Sequence, residues 1–435
     1  GVMTGSVYSD TNRRLLFVLS NLAIFTIGLG LAVRASIAGD LQADLFDQID
    51  IARSATMVGE VLAATFAGFA ITLLFGSAIV DLVGMRTVLI LSALGYVVGS
   101  IFVLMATLID PSRLTYQLVY AGFLLTGLGW GGVEVATNPL VATIYKEEKT
   151  HRLNILHAWW PAGIVMGGLV GILLTTLDVS WKANLIVLMI PAVLLFVLVT
   201  RAEFPVTERV EMGVSYKEMF HQLLRSPGFF IWFFCMMGTV TAELAPSQWV
   251  DLALTNIVGM SGIWVLIYVN SIIFAGRHFA GSLVNRFSTP GLLFLGCLLA
   301  APGLYLLSIA ETPLFAFFAA TLWAIGVCYF YPTMLGAVAE RYPEGGALMI
   351  GLMGFAGGLA SYSLLPWMGA LFDQAKLKAA GGLDAFNALS NDQVTEVIRV
   401  ASVESFQIVA FIPLILLPIF GLLWARENAK AAVNE

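Results

Sequence analysis

Residues 127–168 read GLGWGGVEVATNPLVATIYKEEKTHRLNILHAWWPAGIVMGG, and this stretch decides the fold. Two apolar segments meet in it at a short charged turn, and each belongs to an apolar run long enough to cross a lipid bilayer. The first segment carries Glu134 and Asn138, and the second carries His157 and Trp160. Polar groups at membrane depth are costly, so they mark functional sites by default. The stretch therefore predicts a membrane helical hairpin with a functional site inside it.

The rest of the chain repeats the apolar pattern. Of its 435 residues, 59% are hydrophobic and 11% are charged, and the mean hydropathy is +0.89, whereas a soluble domain carries about 25% charged residues. The net charge of −6 is spread along the loops and indicates no nucleic-acid partner. The sequence has no P-loop motif, no metal-ligand spacing and no nucleophile elbow. We therefore expect a polytopic membrane protein that is not an enzyme, with no metal and no cofactor.

We predict twelve transmembrane helices in two six-helix bundles, an all-α polytopic membrane fold. The predicted spans are 15–38, 54–80, 85–108, 115–144, 154–177, 181–203, 228–254, 259–285, 291–310, 313–339, 346–372 and 401–425. The predicted organisation is an N-terminal tail (1–14), a first bundle (15–203), a linker (204–227), a second bundle (228–425) and a C-terminal tail (426–435). Ser390 and Gln393 have the spacing of a capping box, which predicts a helix start before the last span.

The distribution of basic residues predicts the orientation of these spans. Of the 22 Lys and Arg residues, fifteen fall on one side of the predicted membrane, six on the other, and Arg34 lies within the first span. Basic residues concentrate in the cytoplasm, which predicts that both termini are cytoplasmic. Asn138-Pro139 in the fourth span corresponds to Tyr331-Pro332 in the tenth, a weak sign of repeated halves. Such repeats imply a binding site between the halves and alternating access by rocking.

The loop between the second and third spans carries a recognisable motif, DLVGMR (81–86). It resembles the inner-loop motif of the major facilitator superfamily at Asp81, Gly84 and Arg86, although hydrophobic residues replace two basic positions. This resemblance covers nearly the whole chain and implies that the three matching residues help to close a gate. Arg277 and Arg286, near the inner end of the eighth span, are further predicted gate residues.

Within that superfamily, the chain resembles the fucose:proton symporter branch. The fourth span has Glu134 four residues before Asn138-Pro139, and the fifth opens with Arg152-Leu153-Asn154, as in that branch. The resemblance implies proton-coupled uptake of a sugar, a location in the bacterial inner membrane and a chain that acts as a monomer in the lipid bilayer. It also implies that Glu134 is the protonation site.

Glu134 and Asn138 share one helix face because they are four residues apart. A desolvated carboxyl group can alternate between neutral and charged forms, which a proton-coupled carrier requires. The alternative is a permanent structural pair between Glu134 and an arginine. The glycines of residues 127–132 should let a neighbouring helix approach closely.

Arg34 lies late in the first span, where the resembling branch carries an aspartate. A buried guanidinium needs an anion or several acceptors. Arg34 is therefore predicted either to bind an anionic substrate, such as a sugar acid, or to pair with Glu60, Glu134 or Glu243. Trp160 either stacks on a sugar or anchors its helix at the membrane interface. The predicted substrate-binding residues are Arg34, Asn138, His157, Trp160, Glu243, Gln248, Trp249 and Asn270.

These features predict a secondary transporter for a small polar solute, a monosaccharide or sugar derivative, coupled to H⁺. The alternative is a drug or lipid exporter, or a lipid flippase, with the same fold and a broad apolar cavity. A membrane-embedded enzyme or a sensor is a third class, for which the sequence shows neither a catalytic cluster nor an appended domain.

Overall fold

The computed structural model describes the backbone of residues 7–258 and 262–435, with the side chains of all of these except 248–258, 262 and 365. The described chain is all-helical, as predicted. In the first half, the long helices are α1 (Asp10–Leu41), α2 (Ser54–Val83), α3 (Met85–Ala106), α4 (Arg113–Ile144), α5 (Lys149–Thr176) and α6 (Ala183–Arg201). In the second half they are α7 (Pro227–Val258), α8 (Gly262–Arg277), α9 (Ala280–Ser308), α10 (Pro313–Arg341), α11 (Gly346–Ala380) and α12 (Asn391–Asn434).

Among the described residues, eleven of these helical segments are long and apolar enough to cross a membrane, and the apolar part of α8 is shorter. The predicted eighth span, 259–285, continues past a helix end: α8 ends at Arg277, and a tight turn at His278 and Phe279 leads into α9. Hydropathy does not detect this turn because apolar residues lie on both sides of Arg277 and His278. Helix α10 is likewise interrupted between Val327 and Phe330.

Shorter helices lie at the connections. They are Gln42–Phe46, Asp47–Asp50, Glu208–Glu211, Tyr216–Arg225, Pro343–Gly345 and Leu383–Asn387. The predicted capping box is confirmed, because the Ser390 hydroxyl accepts from the Gln393 amide and the Gln393 side chain accepts from the Ser390 amide. These two bonds satisfy donors that a helix N-terminus leaves unpaired.

The chain forms two compact units. The first contains residues up to Phe230 together with Val338–Gly358, and the second contains Ile231–Ala337 together with Leu359–Glu435. In the second unit, α9 packs on both α10 and α12. A Cβ atom on Gly303 of α9 would lie 2.5 Å from the backbone nitrogen of Trp323, so the backbones of α9 and α10 touch there. The Trp323 indole donates to the carbonyl of Ala242, which ties α10 to α7.

In the first unit, α4 is packed between α2 and α3 through its glycines. A Cβ on Gly127 would lie 2.2 Å from the carbonyl oxygen of Thr65 on α2, and a Cβ on Gly132 would lie 2.2 Å from Ser92 Oγ on α3. Since real Cβ atoms do not approach so closely, only glycine fits here. The glycine run predicted one close helix approach, and the structure has two, on opposite sides of α4.

Helices α1 and α5 form a second close pair in this unit. A Cβ on Gly28 would lie 2.3 Å from the carbonyl oxygen of Trp160, and a Cβ on Gly163 would lie 2.3 Å from that of Phe25. Both helices also contact α4. The two close pairings therefore hold the α1 and α5 side chains against one side of α4.

Residues Val338–Gly358 come from the second half of the sequence but pack with the first unit. Lys149 donates to the carbonyl of Ala339 at 3.0 Å, and Thr150 donates to the carboxylate of Glu340 at 2.6 Å. A Cβ on Gly351 would lie 2.1 Å from the Cβ of Ser77 on α2. These contacts join the end of α10 and the start of α11 to the beginning of α5 and the second half of α2.

Candidate functional site

One buried stripe of side chains runs along α4. It consists of Thr126, Trp130, Glu134 and Asn138, spaced four residues apart, so that they lie on one face of the helix. Each is less than a tenth exposed. Twelve residues of helix rise about 18 Å, so the stripe covers roughly half of the thickness of a bilayer core. We call these four residues the α4 stripe.

An aromatic stack crosses the α4 stripe at Trp130. Its indole stacks on Phe69 of α2 with centroids 4.0 Å apart, and on Trp160 of α5 with centroids 5.4 Å apart and planes 17° from parallel. Phe66 of α2 meets the same indole edge-on. Trp160 therefore packs inside this unit. This arrangement favours an aromatic lining over an interfacial anchor as the role of Trp160.

Arg34 of α1 reaches the N-terminal part of the stripe, at Thr126 and Trp130. Its side chain is 4% exposed; Nη1 lies 3.4 Å from the Thr126 hydroxyl, and the guanidinium lies over the Trp130 ring at 5.9 Å from its centroid. The Tyr96 hydroxyl of α3 lies beside Arg34 but at a geometry that forms no hydrogen bond. Nη2 has no hydrogen-bond partner among the described residues. The guanidinium is thus buried with few acceptors around it.

Asn138 and His157 form the other end of the cluster, at the C-terminal end of the stripe. The imidazole Nε2 of His157 donates to the Asn138 side-chain oxygen at 2.7 Å, and both side chains are buried. The Asn138 amide nitrogen has no hydrogen-bond partner in the described chain. The structure thus brings two predicted binding residues into direct contact.

Glu134 lies between these two ends of the stripe and is 4% exposed. The other carboxylates considered as partners for Arg34 are used elsewhere. Glu60 pairs with Arg53 at 3.2 Å and accepts from the Tyr116 hydroxyl. The Glu134 carboxyl is therefore the ionisable acid of this cluster, as its place in the fourth span predicted.

In the second unit, Glu243 and Arg277 form a buried pair. Arg277 Nη2 lies 3.5 Å from Glu243 Oε1, and Arg277 Nε donates to the carbonyl of Cys328 at 2.7 Å. Cys328 is at the interruption of α10, so this arginine joins α7, α8 and α10. We predicted a gating role for Arg277 and a binding role for Glu243, and the structure places these two side chains in direct contact.

The remaining predicted residues of the second unit are more dispersed. The Asn270 amide donates to the carbonyl of Leu266 in its own helix, at 2.8 Å. Arg286 is exposed, with its guanidinium 5.4 Å from the ring centroid of Phe287. The side chains of Gln248 and Trp249 lie outside the described residues.

The inner-loop motif is tied to the linker in the first unit. Arg209 Nη2 lies 2.6 Å from Asp81 Oδ2, and the Thr207 hydroxyl donates to Asp81 Oδ1 at 2.7 Å. Gly84 has φ of +97°, a conformation that favours glycine, and it separates α2 from α3. Arg86 donates to the carbonyl of Ala202. Each predicted motif residue therefore fixes a connection of the first bundle.

Three residues of the cluster were not singled out from the sequence: Trp130, Thr126 and Tyr96. Trp130 and Thr126 precede Glu134 by four and eight residues, so extending the four-residue spacing backwards would have found them. Tyr96 reaches the cluster only because α3 packs on α4, and no spacing in the sequence signals that contact.

A search of curated protein sequences finds no match. Solved structures with a similar fold include the fucose:proton symporter FucP of E. coli, with a TM-score of 0.67 and 18% identity over 94% of this chain and 99% of that one. They also include the proton:xylose symporter XylE bound to 6-bromo-6-deoxy-D-glucose (TM-score 0.70, 14% identity, 95% and 99% coverage). A partially occluded inward-open form of the xylose transporter XylE from E. coli has a TM-score of 0.68, at 15% identity and with 94% and 98% coverage.

Sequence identities this low relate the folds alone. The family model of the Major Facilitator Superfamily, however, matches residues 15–363, which is most of the chain. Together with the apolar helices, this match makes the protein a multi-pass membrane transporter. The chain belongs to the Major Facilitator Superfamily.

Proposed function

We propose that this protein is a proton-coupled symporter that imports a monosaccharide or sugar derivative. The observation that carries the proposal is the buried Glu134 carboxyl within the α4 stripe, between an aromatic stack and the Asn138–His157 pair. Indole faces suit the C–H faces of sugars, and amide and imidazole groups suit their hydroxyls. The solved structures of similar fold, titled as fucose and xylose symporters with protons, support the same substrate class.

In this proposal, Glu134 carries the coupled proton. A buried carboxyl group can be either protonated or ionised while the transporter changes conformation. Binding of a solute beside it favours one of these two protonation states. Asn138, His157 and Trp160 bind the solute, and Arg34 orients it. The protein works as a monomer in the inner membrane with both termini in the cytoplasm. The polar groups of the stripe do not favour the exporter alternative, which requires a broad apolar lining.

The test uses purified protein in liposomes with an imposed pH gradient and radiolabelled monosaccharides. Glu134→Gln should abolish accumulation against a gradient yet retain counterflow exchange, because the amide resembles the protonated carboxyl. Glu396→Gln, in an exposed carboxylate at the start of α12, is the matched control and should accumulate solute like the unaltered protein. Accumulation by Glu134→Gln at the unaltered level would remove Glu134 from the coupling step.

A further inference from the structure

The cluster around the α4 stripe has more buried donors than acceptors. Arg34 Nη2, the Tyr96 hydroxyl, Trp130 Nε1 and Asn138 Nδ2 have no hydrogen-bond partner among the described residues. All four side chains are more than nine-tenths buried. About 90% or more of buried polar groups in proteins are hydrogen-bonded, so unused donors in one cluster call for an explanation. The donors would be satisfied if the site binds a ligand that is rich in hydrogen-bond acceptors.

Arg34 narrows the kind of acceptor. Its polar and aromatic neighbours are the Thr126 hydroxyl at 3.4 Å, the face of Trp130 and the Tyr96 hydroxyl, and all three are neutral. A buried guanidinium is strongly destabilised unless an anion and further hydrogen bonds compensate its charge. A carboxylate matches the planar, two-pronged geometry of the guanidinium better than a hydroxyl does. Charge and shape together favour a carboxylate near Nη2.

The other side chains of the cluster indicate the chemistry of the rest of that ligand. The stack of Phe69, Trp130 and Trp160 forms an apolar wall beside Arg34. The amide of Asn138 offers a donor on the same face of α4, about two helical turns from Trp130. We propose that the solute is a hydroxylated carboxylate of the sugar-acid class, whose carboxylate binds Arg34 and whose hydroxylated carbon chain lies along the α4 stripe. This inference rests on the proposed function, because it narrows the substrate class of the same site.

Charge balance gives the proposal a second consequence. The helices packed on α4 bring Arg34 from α1, Tyr96 from α3 and His157 from α5, while α2 brings Phe66 and Phe69. With Arg34 positive and Glu134 negative, these two charges cancel in the empty cluster. A bound carboxylate adds one negative charge, and a proton taken from the outer solution onto Glu134 cancels it. Import of one sugar-acid anion with one proton therefore moves no net charge across the membrane. Import of a neutral sugar with one proton would move one positive charge.

The experiment measures uptake into liposomes containing the purified protein, with the pH gradient and the membrane potential set independently. The probes are D-glucuronate and D-gluconate, compared with the neutral D-glucuronamide and D-glucose. We expect a sugar acid to accumulate and to bind about tenfold or more tightly than its neutral counterpart, since a charge-assisted hydrogen bond contributes at least that factor. Changing the membrane potential at constant pH gradient should leave uptake of the acid unchanged.

Variants assign the effect to Arg34. Arg34→Met keeps the volume and removes the charge, and it should weaken binding of the acid by about tenfold or more; Arg34→Lys should fall between the two. Arg53→Met, which removes an exposed arginine, is the control and should bind like the unaltered protein. If Arg34→Met does not fold, the glucuronate and glucuronamide comparison in the unaltered protein decides alone.

The possible failures are distinguishable. Proton-driven accumulation of neutral sugars but not acids, or acid binding that Arg34→Met preserves, would overturn the sugar-acid assignment while the symporter proposal stands. Uptake of the acid that follows the membrane potential would overturn the charge balance. If neither sugars nor sugar acids accumulate or bind, the proposed function itself fails.

Discussion

Arg34 and Arg277 are both buried arginines inside membrane helices, yet their surroundings differ. Arg277, 2% exposed, faces the carboxylate of Glu243 and donates to the carbonyl of Cys328. Arg34, 4% exposed, has a long contact with a hydroxyl, an indole face and an unused Nη2. Arg277 thus forms a direct ion pair with a carboxylate of the protein, whereas no described carboxylate forms one with Arg34. Burial alone therefore does not distinguish a structural arginine from a ligand-binding one. The acceptors that contact each guanidinium do distinguish them.

The largest expected effect comes from breaking the compensated pair. Arg277→Met leaves the Glu243 carboxylate buried without its cation, which should cost about 3–5 kcal/mol of folding free energy. Arg34→Met removes a charge that forms no direct ion pair among the described residues, so it should cost less folding free energy than Arg277→Met. Denaturant titration of both variants in detergent measures their free energies of unfolding, which can then be compared.

The double variant Glu243→Gln/Arg277→Met should recover most of the lost stability, because no isolated charge remains. Equal losses in Arg277→Met and Arg34→Met would contradict the difference between the two arginines.

A smaller effect is expected from crowding Arg34. A Cβ on Gly30 would lie 2.9 Å from the Tyr96 ring and 3.2 Å from Arg34 Nη1, so Gly30→Ala should displace both side chains at a cost of about 2 kcal/mol. Gly39→Ala, on the same helix with no atom within 4 Å, should instead gain up to about 1 kcal/mol from helix propensity. Solute affinity, measured by thermal shift, should fall only in Gly30→Ala; equal affinities would place the solute away from Arg34.

The Asn138–His157 bond should contribute less. His157→Leu leaves the Asn138 oxygen buried without its donor and should cost about 1–2 kcal/mol, whereas His157→Gln keeps a donor and should cost less. Denaturant unfolding ranks the two variants, and transport assays then test binding separately. A loss of transport in His157→Leu without any loss of stability would assign His157 to the solute rather than to Asn138.

The smallest effect belongs to an exposed arginine. Arg53 pairs with Glu60 at 3.2 Å, but their side chains are 61% and 39% exposed. Solvent screens such a pair, so Arg53→Ala should change stability by about 0–1 kcal/mol, and less at high salt. An unfolding free energy that falls by more would show that this pair supports the start of α2 through Glu60 and Tyr116.

The fold could be predicted from the sequence because the length of an apolar run is a local signal. The central part of the candidate site could be predicted for a similar reason: Glu134 and Asn138 are costly groups at one helical spacing. The pairing of Glu243 with Arg277 could not, because it depends on how α7 and α8 pack around the interruption of α10. The role of Trp130 could not be predicted either, because the sequence around a tryptophan in an apolar run does not indicate which aromatic ring the tryptophan stacks on.

The glycine contacts of α4 limit the amino-acid substitutions that this protein can accept. Where the backbone of α4 touches α2 and α3, any larger residue is excluded, so the positions of Gly127 and Gly132 are closed to mutation. The side chains of Trp130, the one stripe residue between these glycines, and of Trp160 on α5 contact aromatic rings. New substrate preferences should therefore arise by exchanging side chains at Trp130 or Trp160 on a fixed frame, which makes these two positions the natural targets for redesign.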